Sequence, residues 1–360
     1  MIQAVETSGP GGAERVLVHL CSRLKERGHR VRALLLRSGW LQGELESQGI
    51  AVTVLPLAKP LDRRFLESLR DLLSELKPDV FHSHEITYGI YGRVATRRLG
   101  IPHVATVHGK NFAEGVKRRA IGCILFRGGR RFRLVAVSRS LSAAISRGMA
   151  LNRTTIGVIP NGVEVGSSAA EPAARADGAL RIIAVGNLYA VKNHALLVRA
   201  VEALVGKGLD IRLEILGRGR EEGALRASVS RNRLERHVAL RGFREDVSSF
   251  LSGSHVFVSS SLSEGMPLSF LEAMAAGLPV VASRVGGVPE IVEHEKQGLL
   301  YESRDLDGLV AAIERLARDE DLRRRLGDGA AARVRSDFSV ERMVDRYEGL
   351  YGEVASNRER

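Results

Sequence analysis

Only two cysteines, Cys21 and Cys123, occur in 360 residues. That excludes a disulfide framework and a cysteine-built metal site, and it suits a reducing cytosol. Aromatic residues are scarce at 5% and prolines number 10, yet 44% of the chain is hydrophobic. This is ample material for a core, so disordered and collagen-like chains are excluded. No stretch approaches the roughly 18 uninterrupted apolar residues of a transmembrane helix. The opening MIQAVETSGPGGAERV has no basic segment followed by an apolar run, so it does not read as a signal peptide. Walker-type phosphate loops and readable Ser/His/Asp or Cys/His arrangements are also missing.

Acidic charge is short in one half only. The net charge is +12. Residues 1–175 hold 27 Lys+Arg against 14 Asp+Glu, and the remainder holds 27 against 28. The N-terminal half is therefore expected to meet something anionic: nucleic acid, an acidic membrane surface or a phosphorylated substrate.

The length exceeds what one core usually serves. Short apolar runs alternate with amphipathic stretches. Strands are expected at Arg30–Leu36, Val52–Leu55, Val80–His82, His103–Val107 and Arg133–Val137. In the second half they are expected at Leu180–Val185, Ile211–Leu216, His237–Leu240, His255–Ser259 and Pro279–Ala282. Helices such as Ala13–Glu26, Arg64–Leu76 and His194–Leu204 sit between them. This alternation predicts an α/β protein with parallel sheets covered on both faces. Residues 166–178, small and polar, read as a linker. The expectation is two doubly wound domains, 1–165 and 179–338, facing each other across a cleft, with 339–360 as a last helix returning to the first.

The richest segment for chemistry is Ser259–Val285, SSSLSEGMPLSFLEAMAAGLPVVASRV. A strand ends in a serine-rich turn, and a helix is expected from Gly265 or Met266 to Ala276. Glu264 and Glu272 would then lie about 12 Å apart along its axis. That is too far for paired-carboxylate hydrolysis, which needs roughly 5–10 Å. They would instead grip two ends of one elongated ligand. The opening amides of Met266–Ser269, with the helix dipole, favour a phosphate between them. A ligand hydroxylated at both ends with phosphates in the middle is a nucleotide sugar.

Two further glycine loops follow strands and open helices. Gly11 and Gly12 in Gly9–Glu14 let backbone approach a ligand. The second is Gly186-Asn-Leu-Tyr-Ala-Val-Lys-Asn-His194, where Lys192 offers a point charge to a leaving diphosphate. His108 ends a strand before Gly109. For His82 and His84, at another strand end, packing is favoured over acceptor contact. Asp305-Leu-Asp307, an Asp-x-Asp, starts a helix and reads as a cap rather than a metal site. The basic stretch Lys110–Arg133 interleaves eight cations with apolar residues against the single acid Glu114, which suits an anionic bilayer surface. No nucleic-acid-binding pattern accompanies it.

Glu264-Gly-Met-Pro-Leu-Ser-Phe-Leu-Glu272, with Ala273-Met-Ala-Ala-Gly-Leu-Pro-Val-Val after it, resembles the E-x7-E signature of the retaining GT-B glycosyltransferases (family 4-like, group 1). Gly11-Gly-Ala-Glu14, Asp79-Val-Phe-His82, Thr106-Val-His-Gly109, Ile159-Pro-Asn-Gly-Val163 and Gly286-Gly-Val-Pro-Glu290 follow in the family's order, so the resemblance spans nearly the whole chain. It implies a metal-independent, retaining hexosyltransferase without a cofactor. The donor would be a nucleotide diphosphate sugar, UDP ahead of GDP. The acceptor would be a glycan or lipid-linked sugar, and the cationic N-terminal half suggests that a peripheral cytoplasmic enzyme meets it at the inner membrane face. It also implies that Glu264 contacts the sugar and Glu272 the ribose. His108 would face the transferred sugar, and Gly11, Gly12, Lys192, Gly265, Met266, Pro267, Leu268 and Ser269 would surround the diphosphate. Where the family carries Arg, this chain has Asn187, which brings hydrogen bonding without charge; Arg218 is the candidate substitute. A sugar-phosphate glycosyltransferase of the same fold and a nucleotide-sugar epimerase are the alternatives.

Overall fold

The computed structural model describes residues 1–109, 122, 129, 131–149, 156–166 and 178–356. It divides into two compact units. Unit 1 is Met1–Gly162 with Val340–Arg360, and unit 2 is Val163–Ser339. The boundary falls slightly before the expected one because Val163 pairs with Ser339, its N–H bonding the Phe338 carbonyl at 3.0 Å. Residues 167–177 of the expected linker, Cys123 and most of the basic stretch Lys110–Arg133 lie outside the described residues.

In unit 1 the chain runs β1 (Ile2–Val5), α1 (Gly12–Glu26), β2 (Arg32–Leu35), α2 (Trp40–Ser47), β3 (Ala51–Val54), α3 (Arg63–Leu76), β4 (Phe81–His84), α4 (Ile86–Leu99) and β5 (His103–Val107). Then follow β6 (Phe132–Ala136), α5 (Arg139–Met149) and β7 (Ile156–Val158). The strands form one parallel sheet in the order β3-β2-β1-β4-β5-β6-β7. Strand periodicity sorts the core into two layers. Ile2, Ala4 and Leu34 pack with Phe65, Leu69 and Leu73 of α3, whereas Val5, Ala33 and Leu35 pack with Leu17 and Cys21 of α1 and Leu41 of α2. Each such leucine, once buried, contributes on the order of 1.5–3 kcal/mol.

Unit 2 repeats the plan with β8 (Leu180–Val185), α6 (His194–Gly206), β9 (Ile211–Leu216), α7 (Glu222–Arg231), β10 (Val238–Gly242), α8 (Val247–Ser252) and β11 (Val256–Ser259). It continues with α9 (Leu268–Ala275), β12 (Val280–Ser283), α10 (Val288–Ile291), β13 (Gly298–Tyr301), α11 (Leu306–Arg318) and α12 (Glu320–Asp337). Its parallel sheet is ordered β10-β9-β8-β11-β12-β13. Asp305 caps α11, accepting from the Gly308 amide at 2.9 Å, so Asp305-Leu-Asp307 is a helix start as expected.

The last helix, α13 (Val340–Ser356), belongs to unit 1. Arg27 of α1 holds Glu348 at 2.6 Å and Asp345 at 2.7 Å, exposed pairs worth little. The anchoring comes from Tyr347 and Tyr351, which are fully buried.

Candidate active site

In unit 2 the strand order reverses between β8 and β11, and open parallel sheets bind ligands outside the carboxyl ends of strands at such a point. The two loops leaving it carry Lys192 and Glu264, whose Nζ and Oε1 lie 2.6 Å apart. Glu264 is 8% exposed. Lys192 stays about a quarter exposed, so breaking the pair by removing one partner costs up to about 3 kcal/mol. The loops are laced together. The Leu262 amide donates to the Val191 carbonyl at 2.7 Å, and Ser260 Oγ donates to the carbonyls of Lys192 and Asn193. The serine-rich turn is thus the brace that fixes Lys192.

One glycine makes the arrangement possible, whereas at Gly186, under the stem of Lys192, a Cβ would sit in ordinary contact at 3.5 Å from its Cε. Gly286, at φ +53°, approaches so closely that a Cβ would sit 1.9 Å from the Glu264 carbonyl oxygen. Any other residue there would both strain the backbone and push Glu264 out of place.

The helix after Glu264 starts later than expected. α9 begins at Leu268, with Pro267 extended at φ −72°, ψ 129° as its N-cap. Proline has no N–H, and the residue before it is driven out of helical conformation, so Gly265 and Met266 stay in the loop. The opening amides are therefore those of Leu268 and Ser269, not Met266–Ser269. The 12 Å separation of Glu264 and Glu272 along one axis also falls, because Glu264 lies outside the helix. Met266 and Leu268 turn their side chains into the core, so they offer the site backbone only. Glu272 is partly buried within α9.

Asn187 is exposed, its carbonyl accepting from the Tyr189 amide at 2.9 Å. Arg218 is also exposed, its guanidinium 5.2 Å from the centroid of the Phe243 ring. A cation thus stands at the carboxyl end of β9, stacked on the loop after β10.

Unit 1 has its own reversal, between β1 and β4. Gly11 is the N-cap of α1 and Gly12 its first residue. A Cβ on Gly11 would lie 2.5 Å from Glu14 Oε2, so the buried Glu14 folds back over this turn. His82 and His84 are fully buried and hydrogen-bonded, which makes them interior groups. His82 Nδ1 meets the Tyr351 hydroxyl at 2.7 Å and Nε2 meets Thr106 Oγ1 at 2.8 Å. Gln3 Nε2 donates to Tyr351, so its Oε1 must accept from His84 Nε2, at 3.3 Å. His84 Nδ1 is then an acceptor and takes the Nε2–H of His108 at 2.9 Å. This leaves His108 Nδ1 as a lone pair that is buried and has no hydrogen-bond partner. Burial holds all these imidazoles neutral, that of His108 at about 4. The sequence singled out His108 but not this relay, which draws Gln3 from 81 residues before His84 and Tyr351 from 269 residues after His82.

Among the described residues no group of three or more His, Cys, Asp or Glu could hold a metal ion, and no helix is long and apolar enough to cross a membrane.

Two family models match. Glycosyltransferase Family 4 covers residues 10–166, and Glycosyl transferases group 1 covers residues 179–319. The UDP-Gal:alpha-D-GlcNAc-diphosphoundecaprenol alpha-1,3-galactosyltransferase of Escherichia coli is 29% identical over 371 residues, 96% of this chain and 95% of that one. The lipopolysaccharide core biosynthesis glycosyltransferase LpsD of Rhizobium meliloti is 27% identical over 97% of each chain. The crystal structure of Anabaena Alr3699/HepE in complex with UDP superimposes with a TM-score of 0.85 at 20% identity, covering 98% of this chain and 99% of that one, a likeness of fold. The chain belongs to the family 4, group 1 glycosyltransferases and is a hexosyltransferase of GT-B fold.

Proposed function

We propose that this glycosyltransferase moves a hexosyl group, with retention and without a metal, from a UDP-sugar to a hydroxyl of a lipid-linked acceptor in cell-surface glycan synthesis. The observation that carries this reading is the Lys192–Glu264 pair at the switch point of unit 2, beside the opening of α9. Lys192 and the Leu268 and Ser269 amides are donors suited to the negative charge that grows on the diphosphate as the glycosidic bond breaks. Glu264 is an acceptor suited to sugar hydroxyls, and its salt bridge orients it. Glu272 takes the ribose and Gly11 and Gly12 lie near the diphosphate, both by family resemblance. Arg218 supplies the cation that Asn187 lacks. The lipid-linked acceptor rests on the Escherichia coli relative, whose name specifies a diphosphoundecaprenol acceptor, and on the cationic N-terminal half.

The test is transfer from a panel of UDP-hexoses to GlcNAc-diphosphoundecaprenol, with the anomeric configuration read by NMR. An α-donor should give an α-product, unchanged by EDTA; an inverted product, or loss of activity with EDTA, would contradict the reading. Lys192→Gln should lower kcat about 10²- to 10³-fold, the range seen when one transition-state donor is removed. An unchanged kcat would remove Lys192 from the mechanism. The membrane location is tested by vesicle flotation: the enzyme should rise with anionic vesicles and stay behind with neutral ones.

A further inference from the structure

Glu85 stands at the carboxyl end of β4, where the sheet of unit 1 reverses its order. Its backbone has φ 68° and ψ −174°, a combination essentially confined to glycine. Lys77 and Asn193, also at positive φ, sit in the ordinary left-handed helical region, with ψ 55° and 38°. Such strain persists only where the surroundings enforce it, and it concentrates at functional sites.

A structural duty for the side chain would be to cap α4, since Glu85 is its N-cap residue. It makes no capping hydrogen bond. Glu6, after β1, accepts from the Thr87 amide at 3.1 Å in its place. The Glu85 backbone N–H donates to the Thr106 carbonyl at 3.0 Å, and its carboxyl lies toward the turn after β5 that carries His108. The groups around it are Glu6 after β1, Glu14 on α1 and the neutral His108 after β5, with neutral His84 preceding it in the chain. Burial, reinforced by Glu6 and Glu14, pushes the carboxyl up to about 7. The same His108 presents the buried, partnerless Nδ1 lone pair. A strained carboxyl and an unused acceptor thus stand at the same end of two neighbouring strands, β4 and β5.

We propose that Glu85 is a substrate-binding residue whose carboxylate, together with His108 Nδ1, accepts hydrogen bonds from hydroxyls of a sugar bound to unit 1. Two acceptors side by side fit a pair of neighbouring hydroxyls. These belong either to the acceptor sugar or to the sugar being transferred. The inference deepens the glycosyltransferase reading and rests on it.

Glu85→Gln and Glu85→Gly test it, with steady-state transfer measured between pH 6 and 8 and UDP affinity measured by titration. Glu85→Gln should lower kcat/KM roughly 10- to 100-fold, the range expected for a hydrogen bond to a charged group. UDP affinity should be unchanged, because UDP lacks the sugar. A rise in KM confined to the acceptor assigns the hydroxyls to the acceptor, and one confined to the donor assigns them to the transferred sugar. The wild-type rate should climb as the carboxyl ionises near pH 7, and that limb should vanish in the variant. Glu85→Gly should relieve the backbone and melt higher than the wild type while being as slow as Glu85→Gln. A merely structural role would make the glycine variant more stable and fully active. Wild-type kcat/KM in Glu85→Gln for both substrates, with the pH limb retained, would overturn the assignment. A wild type that binds UDP but transfers no hexose would overturn the glycosyltransferase reading itself.

Discussion

Replacing Glu264 by Gln should lower transfer about 10³-fold, close to 4 kcal/mol of barrier, while leaving UDP affinity within a few-fold. The substitution keeps shape and removes charge. Glu264 is nearly buried and held by Lys192 at 2.6 Å, so a neutral amide changes both the sugar contact and the orientation of the cation. Lys192 keeps about a quarter of its side chain exposed, so it re-solvates rather than staying as a stranded buried charge. The stability loss should therefore sit at or below the low end of the cost of breaking a buried pair, about 3 kcal/mol. UDP contains no transferred sugar, and in the proposed site its diphosphate would meet Lys192 and the α9 amides, so turnover should fall far more than nucleotide affinity. Turnover and a calorimetric UDP titration on the same preparation check both halves. Near-normal turnover would detach Glu264 from the chemistry.

Acidification should unfold unit 1 well before unit 2. His82, His84, His103 and His108 are kept neutral by burial, His103 at about 3 and His108 at about 4. In the unfolded chain each titrates near 6.5. Below that pH the unfolded state binds protons that the fold refuses, so stability is full above 6.5 and falls as pH drops toward the depressed folded values. At pH 5 His103 and His108 each contribute a loss of about 2 kcal/mol, and His82 and His84 lose stability in the same direction. Glu85 works the other way: its carboxyl, raised to about 7, takes up a proton more readily in the fold and so regains stability on acidification, offsetting roughly one histidine. The losses at His103 and His108 outweigh that offset, His82 and His84 add to them, and the whole-domain stability they draw on is only roughly 5–15 kcal/mol. In unit 2, His194 is held near 4 in the same way. Thermal melts from pH 8 to pH 5 should separate into two transitions, the lower one reporting unit 1. A single transition with unchanged midpoint would contradict the buried relay.

What was legible in the sequence had local causes. His103–Val107, Leu180–Val185 and Ile211–Leu216 are strands at the expected residues, because short aliphatic-rich runs, alternating with Arg212 and Glu214 in the last, are bounded by polar turns. Two strands escaped because glycine interrupts or opens them: β7 is Ile-Gly-Val and β13 is Gly-Leu-Leu-Tyr. The start of α9 was misjudged because glycine and methionine before Pro267 were read as helix, whereas proline holds them in the loop. Lys192 and Glu264 were each singled out, but not their salt bridge, which joins residues 72 apart. Glu85 left no mark at all. Its strain, its raised carboxyl and its neighbour His108 all come from segments that meet only in the folded sheet.

The most direct measurement is a crystal structure of the enzyme with bound UDP. The diphosphate should rest within hydrogen-bond reach of the Leu268 and Ser269 amides, with Lys192 Nζ on a phosphate oxygen and the ribose toward Glu272. Nucleotide bound away from the β8–β11 switch point, or Lys192 and Glu264 turned from it, would contradict the account.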